Sequence, residues 1–301
     1  MKFKGMRKIQ IILGLALIAS LLPLSVQAKT ITNNYVGTHE GYYCELWKDY
    51  GNGTMELEEG KVGFSCKWSN VNDILFEYGM KCNQRQTHQE TGNISISYEC
   101  SYESISEYGY TLAGIHVWTV YPTVEVFIVE SHDNWKPKAD SSPLKTIIVD
   151  GAEYDIYENY IILPEMQSYK QYLSIRREPR TSGTVSVSQH LRVLEALGVK
   201  LGKLYQITFA FEGYQSEGSG ELTKINIDID TDYSLPGDVN EDKNIDSLDF
   251  AVFRKYLLGK INTIPSNADI NQDGNIDSLD FSLLRMHLLG KIFLGVTTKA
   301  S

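Results

Sequence analysis

Thr123-Val124-Glu125-Val126-Phe127-Ile128-Val129-Glu130 is apolar on both of its alternating faces, the pattern of a β-strand covered on both sides. Glu125 shares a face with Phe127 and Val129, so a carboxylate stands among apolar neighbours. An unpaired charge is costly there unless it has a partner or a task. A second carboxylate of this kind is Glu212, in Phe209-Ala210-Phe211-Glu212-Gly213-Tyr214. Its face also carries Thr208, Ala210 and Tyr214, a small and polar set suited to lining a cleft. Two carboxylates brought together with unequal proton affinities are the apparatus of glycoside hydrolysis. Each taken alone is more often an ion-pair partner, and periodicity does not choose between the two.

Outward from these two segments, from about Tyr35 to Asp230, one short alternating run follows another. Gly51-Asn52-Gly53, Glu59-Gly60 and Ser106-Glu107-Tyr108-Gly109 read as turns between them. Tyrosine is used 19 times, which favours an aromatic-lined sheet over a helical bundle. One helix is predicted, capped by Ser188, running Gln189 to Leu197 and stopped by Gly198. The last strand is the alternating run Ile225-Asn226-Ile227-Asp228-Ile229-Asp230. Short strands with a single helix predict an all-β jelly roll, a sandwich of two sheets, over residues 29–230.

The N-terminal 28 residues have a different character. Lys2, Lys4, Arg7 and Lys8 precede an apolar run from Ile9 to Leu24, and Val26-Gln27-Ala28 offers a small-residue cleavage site. That is the layout of a signal peptide and implies an exported chain, with no later stretch long and apolar enough to span a bilayer. The leader holds four bases and no acid, so the formal charge of −10 for all 301 residues becomes near −14 without it. A balance this acidic argues against a nucleic-acid binder, which needs a basic face. Cys44, Cys66, Cys82 and Cys100 all lie in the first third. Sequence leaves their pairing, or their persistence as free thiols, open.

After a linker at 231–236 an internal repeat begins, predicting a second, small α-helical domain over 237–293 and a tail at 294–301. Its first copy opens Asp238-Val239-Asn240-Glu241-Asp242-Lys243-Asn244-Ile245-Asp246-Ser247-Leu248-Asp249. The second opens Asp269-Ile270-Asn271-Gln272-Asp273-Gly274-Asn275-Ile276-Asp277-Ser278-Leu279-Asp280. Oxygen donors at positions 1, 3, 5, 9 and 12, with a backbone carbonyl at 7, suit a hard cation such as calcium. One ion would take Asp238, Asn240, Asp242, Asn244, Asp246 and Asp249; the other Asp269, Asn271, Asp273, Asn275, Asp277 and Asp280. Position 12 is Asp rather than the Glu of an EF-hand, and each loop leads into a single helix. Gly274 supplies the sharp turn at position 6, where the first loop has Lys243. These residues resemble a type I dockerin, the module that plugs an enzyme into a cohesin on a scaffold protein. The resemblance implies two bound Ca²⁺ and two roughly symmetric docking modes. It implies cohesin contacts through Ser247-Leu248, Ser278-Leu279, Arg254, Lys255, Arg285 and Met286.

The long domain carries its own set of motifs: Glu45-Leu46-Trp47-Lys48-Asp49-Tyr50-Gly51, Phe64-Ser65-Cys66-Lys67-Trp68-Ser69-Asn70, Val124-Glu125, Arg180-Thr181-Ser182-Gly183-Thr184 and Glu212-Gly213-Tyr214-Gln215-Ser216. From about Gly41 to Ile227 they resemble, in order, glycoside hydrolase family 11, the β-jelly-roll xylanases. Carried over by position, Glu125 is the nucleophile and Glu212 the acid/base of a retaining mechanism, with carboxyls ~5–5.5 Å apart and no cofactor. The resemblance implies that Trp47 stacks on a sugar ring, that Trp118 and Gln171 line the cleft, and that Tyr214 belongs to the substrate face. Asp73 matches the position beside the acid/base, which implies joint titration and an acid-shifted optimum.

Several positions depart from that family. His116 and Phe127, which the resemblance places among the substrate contacts, stand where phenols usually hydrogen-bond nucleophile and substrate. Gln171-Tyr172-Leu173 replaces Gln-Tyr-Trp, Pro164-Glu165-Met166 replaces a Pro-Ser-Ile thumb tip, and the arginine before the thumb has no counterpart. His116 could replace a phenol donor or be a packed histidine. Two readings follow. One is a secreted, cellulosome-associated endo-1,4-β-xylanase; the other is a catalytically weakened module that grips xylan without turnover. Both glutamates favour the enzyme, whereas the altered cradle favours the binder.

Overall fold

The computed structural model describes residues 28–137, 141–162 and 168–294. The predicted leader (apart from Ala28), the Pro164-Glu165-Met166 tip and the tail beyond Leu294 lie outside the described residues. The strands run in chain order as β1 (Ala28–Ile31), β2 (Tyr35–His39), β3 (Tyr42–Lys48), β4 (Asn52–Glu58) and β5 (Phe64–Ser69). There follow β6 (Asp73–Lys81), β7 (Asn93–Ile105), β8 (Tyr110–Val120), β9 (Val124–Asp133) and β10 (Lys145–Val149). The set closes with β11 (Ala152–Ile161), β12 (Tyr169–Arg176), β13 (Ser182–Val185), β14 (Lys203–Tyr214) and β15 (Glu217–Asp230). The helices are α1 (His88–Thr91), α2 (Val187–Ala196), α3 (Ser247–Leu257) and α4 (Ser278–Leu288).

The strands form two sheets, as the alternating runs predict. The smaller has the order β1-β4-β5-β15-β7-β13 and the larger β10-β11-β12-β9-β8-β14-β6-β3-β2. Pairing is antiparallel except between β9 and β12, where Gln171 lies opposite Glu125. Alternation explains which face packs inward. Ile74, Phe76 and Tyr78 of β6, Val126 and Ile128 of β9, and Phe209 and Phe211 of β14 enter the core between the sheets. Met55, Phe64, Trp68, Ile94, Ile96 and Leu222 meet them from the other sheet. The intervening residues of β6, β8, β9 and β14 therefore point to the opposite face of the larger sheet, where the site lies. There a second apolar cluster of Leu112, Phe127, Val129, Leu173, Ile175 and Ala210 is covered by Tyr110, Trp135 and Tyr157. The segment beginning Thr123-Val124 is thus buried on both faces, because its odd and even residues enter two different clusters.

Two sequence expectations shift. The helix begins at Val187 with Ser186 as its cap, not at Gln189. Ser188 is inside it and fully buried, its hydroxyl taking the Ile94 N–H at 2.8 Å and tying the helix to β7. The run Ile225 to Asp230 is the second half of β15, which begins at Glu217 and carries an irregularity between Leu222 and Lys224. Gly198 stops the helix as expected, with φ +88°. Trp68, quoted above among the motifs, is a core residue whose indole N–H donates to Ser216 Oγ at 3.1 Å. All four cysteines are free thiols, three of them buried.

The connection at 231–236 is not bare. Tyr233 and Leu235 are buried, and Lys243 Nζ donates to the Tyr233 carbonyl at 2.6 Å. Beyond it α3 and α4 pack through Phe250 and Phe281, stacked 4.3 Å apart around Phe253 and Leu284. No described helix is long and apolar enough to cross a membrane.

Candidate active site

β8 is the middle of three strands that carry the two glutamates. It pairs β9 on one side, with Trp118 opposite Glu125, and β14 on the other, with Leu112 opposite Glu212. The bulge between Ala113 and Gly114 needs a residue without a side chain, since a Cβ on Gly114 would stand 2.1 Å from the Ile128 carbonyl oxygen. Glu125 and Glu212 are both buried, at 5% and 8% exposure, and the negative charge of Glu125 reaches Glu212. Burial first, then Asp73 and Glu125, hold the Glu212 carboxyl well above the usual carboxylate range. Glu212 is therefore the proton-bearing member of the pair.

His116 meets both Glu125 and a third carboxylate. Its Nε2 lies 2.9 Å from Glu125 Oε1 and its Nδ1 2.7 Å from Glu77 Oε1. Burial acts to lower its proton affinity, but the two carboxylates overcome that and push the imidazole up to about 10. Glu77, itself buried, also takes the Gln206 amide N–H₂ at 2.6 and 2.7 Å and the Thr208 hydroxyl at 2.9 Å. Those donors, with His116, overcome desolvation and hold Glu77 below the usual carboxylate range. Glu125 Oε2 makes no hydrogen bond among the described residues.

Asp73 faces the same cleft from β6. Burial, then the charges of Asp49 and Glu125, push it up to about 6, and its buried Oδ1 has no hydrogen-bond partner among the described residues. Trp47 on β3 is 41% exposed, the open aromatic surface that a sugar ring could cover. Trp118 is half-buried, edge-on to Tyr169 at 4.9 Å and to His116 at 5.5 Å. Gln171 lines a pocket with Tyr110, Leu112, Trp135, Tyr157 and Glu212, its side-chain oxygen taking the Asn159 amide at 2.9 Å. Tyr214 is partly exposed and stacks on Tyr110 at 5.2 Å.

Phe127 requires a correction. Predicted as a substrate contact, it is fully buried, its ring 5.0 Å from that of His116 within the second apolar cluster. It supports the cleft floor from beneath. His116 is likewise only 1% exposed and touches Glu125 rather than the open cleft. The sequence reading missed Glu77, Gln206 and Tyr169, and named Thr208 only as part of a cleft-lining face, not as a donor to Glu77. Glu77 had a visible signal, because alternation in Asp73-Ile74-Leu75-Phe76-Glu77 puts it on the face of Asp73. Arg180, by contrast, serves the fold, pairing with the buried Glu130 away from Glu125.

A profile of glycosyl hydrolases family 11 matches residues 39–223 and one of the dockerin type I domain matches residues 236–289. The chain belongs to glycosyl hydrolase family 11. Over 226 residues it is 41% identical to an endo-1,4-beta-xylanase A of Bacillus pumilus, covering 72% of this chain and 96% of that protein. It is also 41% identical to an endo-1,4-beta-xylanase A of Thermoclostridium stercorarium, over 73% of this chain and 33% of that longer protein. Among solved structures, the family 11 xylanase from Neocallimastix patriciarum superimposes with a TM-score of 0.61 at 28% identity, covering 67% of this chain and all of that one. The jelly roll of family 11 is therefore the fold of the long domain, and it carries a dockerin at its C-terminal side.

In that dockerin both loops close on a carboxylate. Asp238 accepts the backbone N–H groups of Asp242 and Lys243 at 3.1 and 2.9 Å. Asp269 does the same for Asp273 and Gly274 at 3.2 and 2.9 Å. Asp249 takes Val239, Asn240 and Asp246, and Asp280 takes Ile270, Asn271 and Asp277. Asp246 and Asp277 cap α3 and α4. No described cluster of three or more His, Cys, Asp or Glu is gathered as a metal site. The donors remain all oxygen, from Asp, Asn and a backbone carbonyl, the set a hard cation prefers.

Proposed function

We propose that the chain is an exported endo-1,4-β-xylanase that acts while docked on a cohesin-bearing scaffold. The observation that carries the catalytic half is the placing of two buried glutamates in one cleft with unlike surroundings, Glu125 accepting a hydrogen bond from His116 and Glu212 pushed toward its neutral form by burial and the nearby carboxylates. In the first step Glu125 attacks the anomeric carbon, the glycosidic C–O bond breaks, and the Glu212 proton goes to the departing oxygen. Water then attacks the same carbon, Glu212 takes the water proton, and Glu125 leaves as carboxylate, so configuration is retained. Trp47 offers the stacking surface for a sugar ring, and Trp118, Gln171 and Tyr214 are the walls beside it.

The dockerin half is supported by duplicated exposed apolar residues. Leu248 and Leu279 are 57% and 59% exposed at the starts of α3 and α4, and Leu258 and Leu289 are 62% and 59% exposed at their ends. Each set suits a cohesin face. Calcium held by Asp238, Asn240, Asp242, Asn244, Asp246 and Asp249, and by the equivalent set from Asp269 to Asp280, would fix the loop shapes that orient those leucines. The leader over residues 1–28 would deliver the chain outside the cell.

Reducing-sugar release from xylan by the mature chain, beside Glu125→Gln, tests the reading. Turnover by the parent with a β-configured first product, and loss of roughly 10⁴-fold or more in the variant, is the expected result. Xylan binding without turnover in both proteins would replace it with the binding-module reading, which the altered residues His116 and Phe127 favour.

A further inference from the structure

Glu77 is a buried carboxylate whose surroundings are built to keep it charged and fixed. Lys81 Nζ donates to Gln206 Oε1 at 2.9 Å, which orients the Gln206 amide so that its N–H₂ faces Glu77 at 2.6 and 2.7 Å. The Thr208 hydroxyl donates as well, at 2.9 Å. Glu77 Oε1 therefore accepts from His116 Nδ1–H at 2.7 Å, and this fixes the proton on Nδ1. With Nδ1 donating, the Nε2 edge facing Glu125 Oε1 at 2.9 Å needs one proton in the gap. It sits on the ring beside an ionised Glu125, or on Glu125 beside a neutral ring.

We propose that Glu77 is a positioning residue for the cleavage reaction: through a doubly donating His116 it holds Glu125 ionised, with Oε1 tethered and Oε2, though buried, left without a hydrogen-bond partner among the described residues. The inference rests on Glu125 being the nucleophile. Glu77 acts by supplying the counter-charge that keeps the ring cationic, so Glu125 faces a charged N–H donor rather than a neutral ring. Once Glu125 is esterified, the same N–H points at the ester carbonyl oxygen and polarises it for attack by water, leaving the tether unchanged through both steps. The ionisable groups facing His116 are Glu77 on β6, Glu125 on β9 and Glu212 on β14, with Asp73 on β6 next. Tyr169 on β12 lies toward Glu125, and Glu45 on β3 lies beyond Glu77. Trp118 and Phe127 supply the neutral walls.

The test is a cycle in the full chain of Glu77→Gln, His116→Gln and the double variant, read as pH profiles of kcat and kcat/KM on soluble xylan. Glu77→Gln should cost roughly tenfold to 10²-fold in kcat with little change in KM, and move the ascending acid limb up by about one pH unit. His116→Gln should move the limb the same way, and the double variant should be no worse than the poorer single. Multiplying losses, an unmoved limb, or a loss confined to KM would each overturn the proposal. Because a variant could fail to fold, the imidazole ¹⁵N signals of His116 in the unmutated chain give a second measurement. Two protonated nitrogens at about pH 8 are expected, and a neutral ring there overturns it. Azide rescue of Glu125→Ala, giving an inverted glycosyl azide, checks the nucleophile separately: no rescue with a cationic ring would strike the assignment of Glu125 and leave the ring's protonation standing.

Discussion

Asp73 on β6 lies next to Glu212 on β14, and once ionised its charge is the largest influence after burial on the Glu212 proton. The register explains it: Asp73 is opposite Tyr214 and Leu75 opposite Glu212, so Asp73 and Glu212 are diagonal neighbours on one face. Because Asp73 is pushed up to about 6 and its Oδ1 is unpaired among the described residues, the site favours a neutral Asp73 below that pH. The active form then carries protons on both Asp73 and Glu212.

That form is lost as pH rises through about 6, where Asp73 ionises and its charge holds the Glu212 proton too tightly for donation to the leaving oxygen. Activity should therefore peak on the acid side, and Asp73→Asn should move the descending limb to higher pH by removing the step. A pH–rate profile that superimposes on the parent would reject this account of Asp73.

His116 links pH to stability. Its folded-state value of about 10 lies above its ordinary 6.5, so its contribution is fully present below about 6.5 and is lost as pH rises through about 10. Urea unfolding midpoints should fall between neutral pH and about pH 10, and His116→Gln should show a smaller fall over the same window. Equal slopes in the two proteins would place the pH dependence elsewhere.

His116→Phe tests the same pair by packing. It leaves Glu77 and Glu125 buried without their shared donor, a change that costs ~3–5 kcal/mol when a buried partner is removed. Adding Glu77→Gln should recover part of that loss, since it discharges the stranded carboxylate. Thermal melts of the single and double variants measure it.

Glu130 is the structural counterpart. It is buried, takes the Tyr98 and Tyr154 hydroxyls at 3.2 and 2.5 Å, and pairs with Arg180. Arg180→Ala should cost roughly 3 kcal/mol of stability. Its kcat at low temperature should stay near the parent value, because Glu130 alternates away from Glu125 along β9. A kcat collapse in a folded Arg180→Ala protein would show coupling to the cleft.

Calcium removal should separate the two domains' functions. Chelation should abolish cohesin capture, measured by co-migration on a native gel, while leaving xylan hydrolysis within about twofold. Loss of hydrolysis on chelation would mean that the jelly roll itself depends on the metal.

The alternation of short strands, the apolar double face around Glu125, the repeat after Gly237 and the ordered motifs from Gly41 onward were legible in the linear chain, because each is a local pattern with a period of 2 or a repeated spacing. The candidacy of Glu125 and Glu212 was legible too. Two things depended on pairing. The bulge at Gly114 and the register of β8 between β9 and β14 brought carboxylates far apart in the chain into one cleft. The order β14-β6 placed Glu77 opposite Ala210, within reach of His116, Thr208 and Gln206. Sequence alone left His116 between a phenol substitute and a packed histidine, and placed Phe127 on the substrate. Both turned on depth below the surface, which alternation does not reveal: it distinguishes two faces of a strand, but not whether a second layer covers one of them.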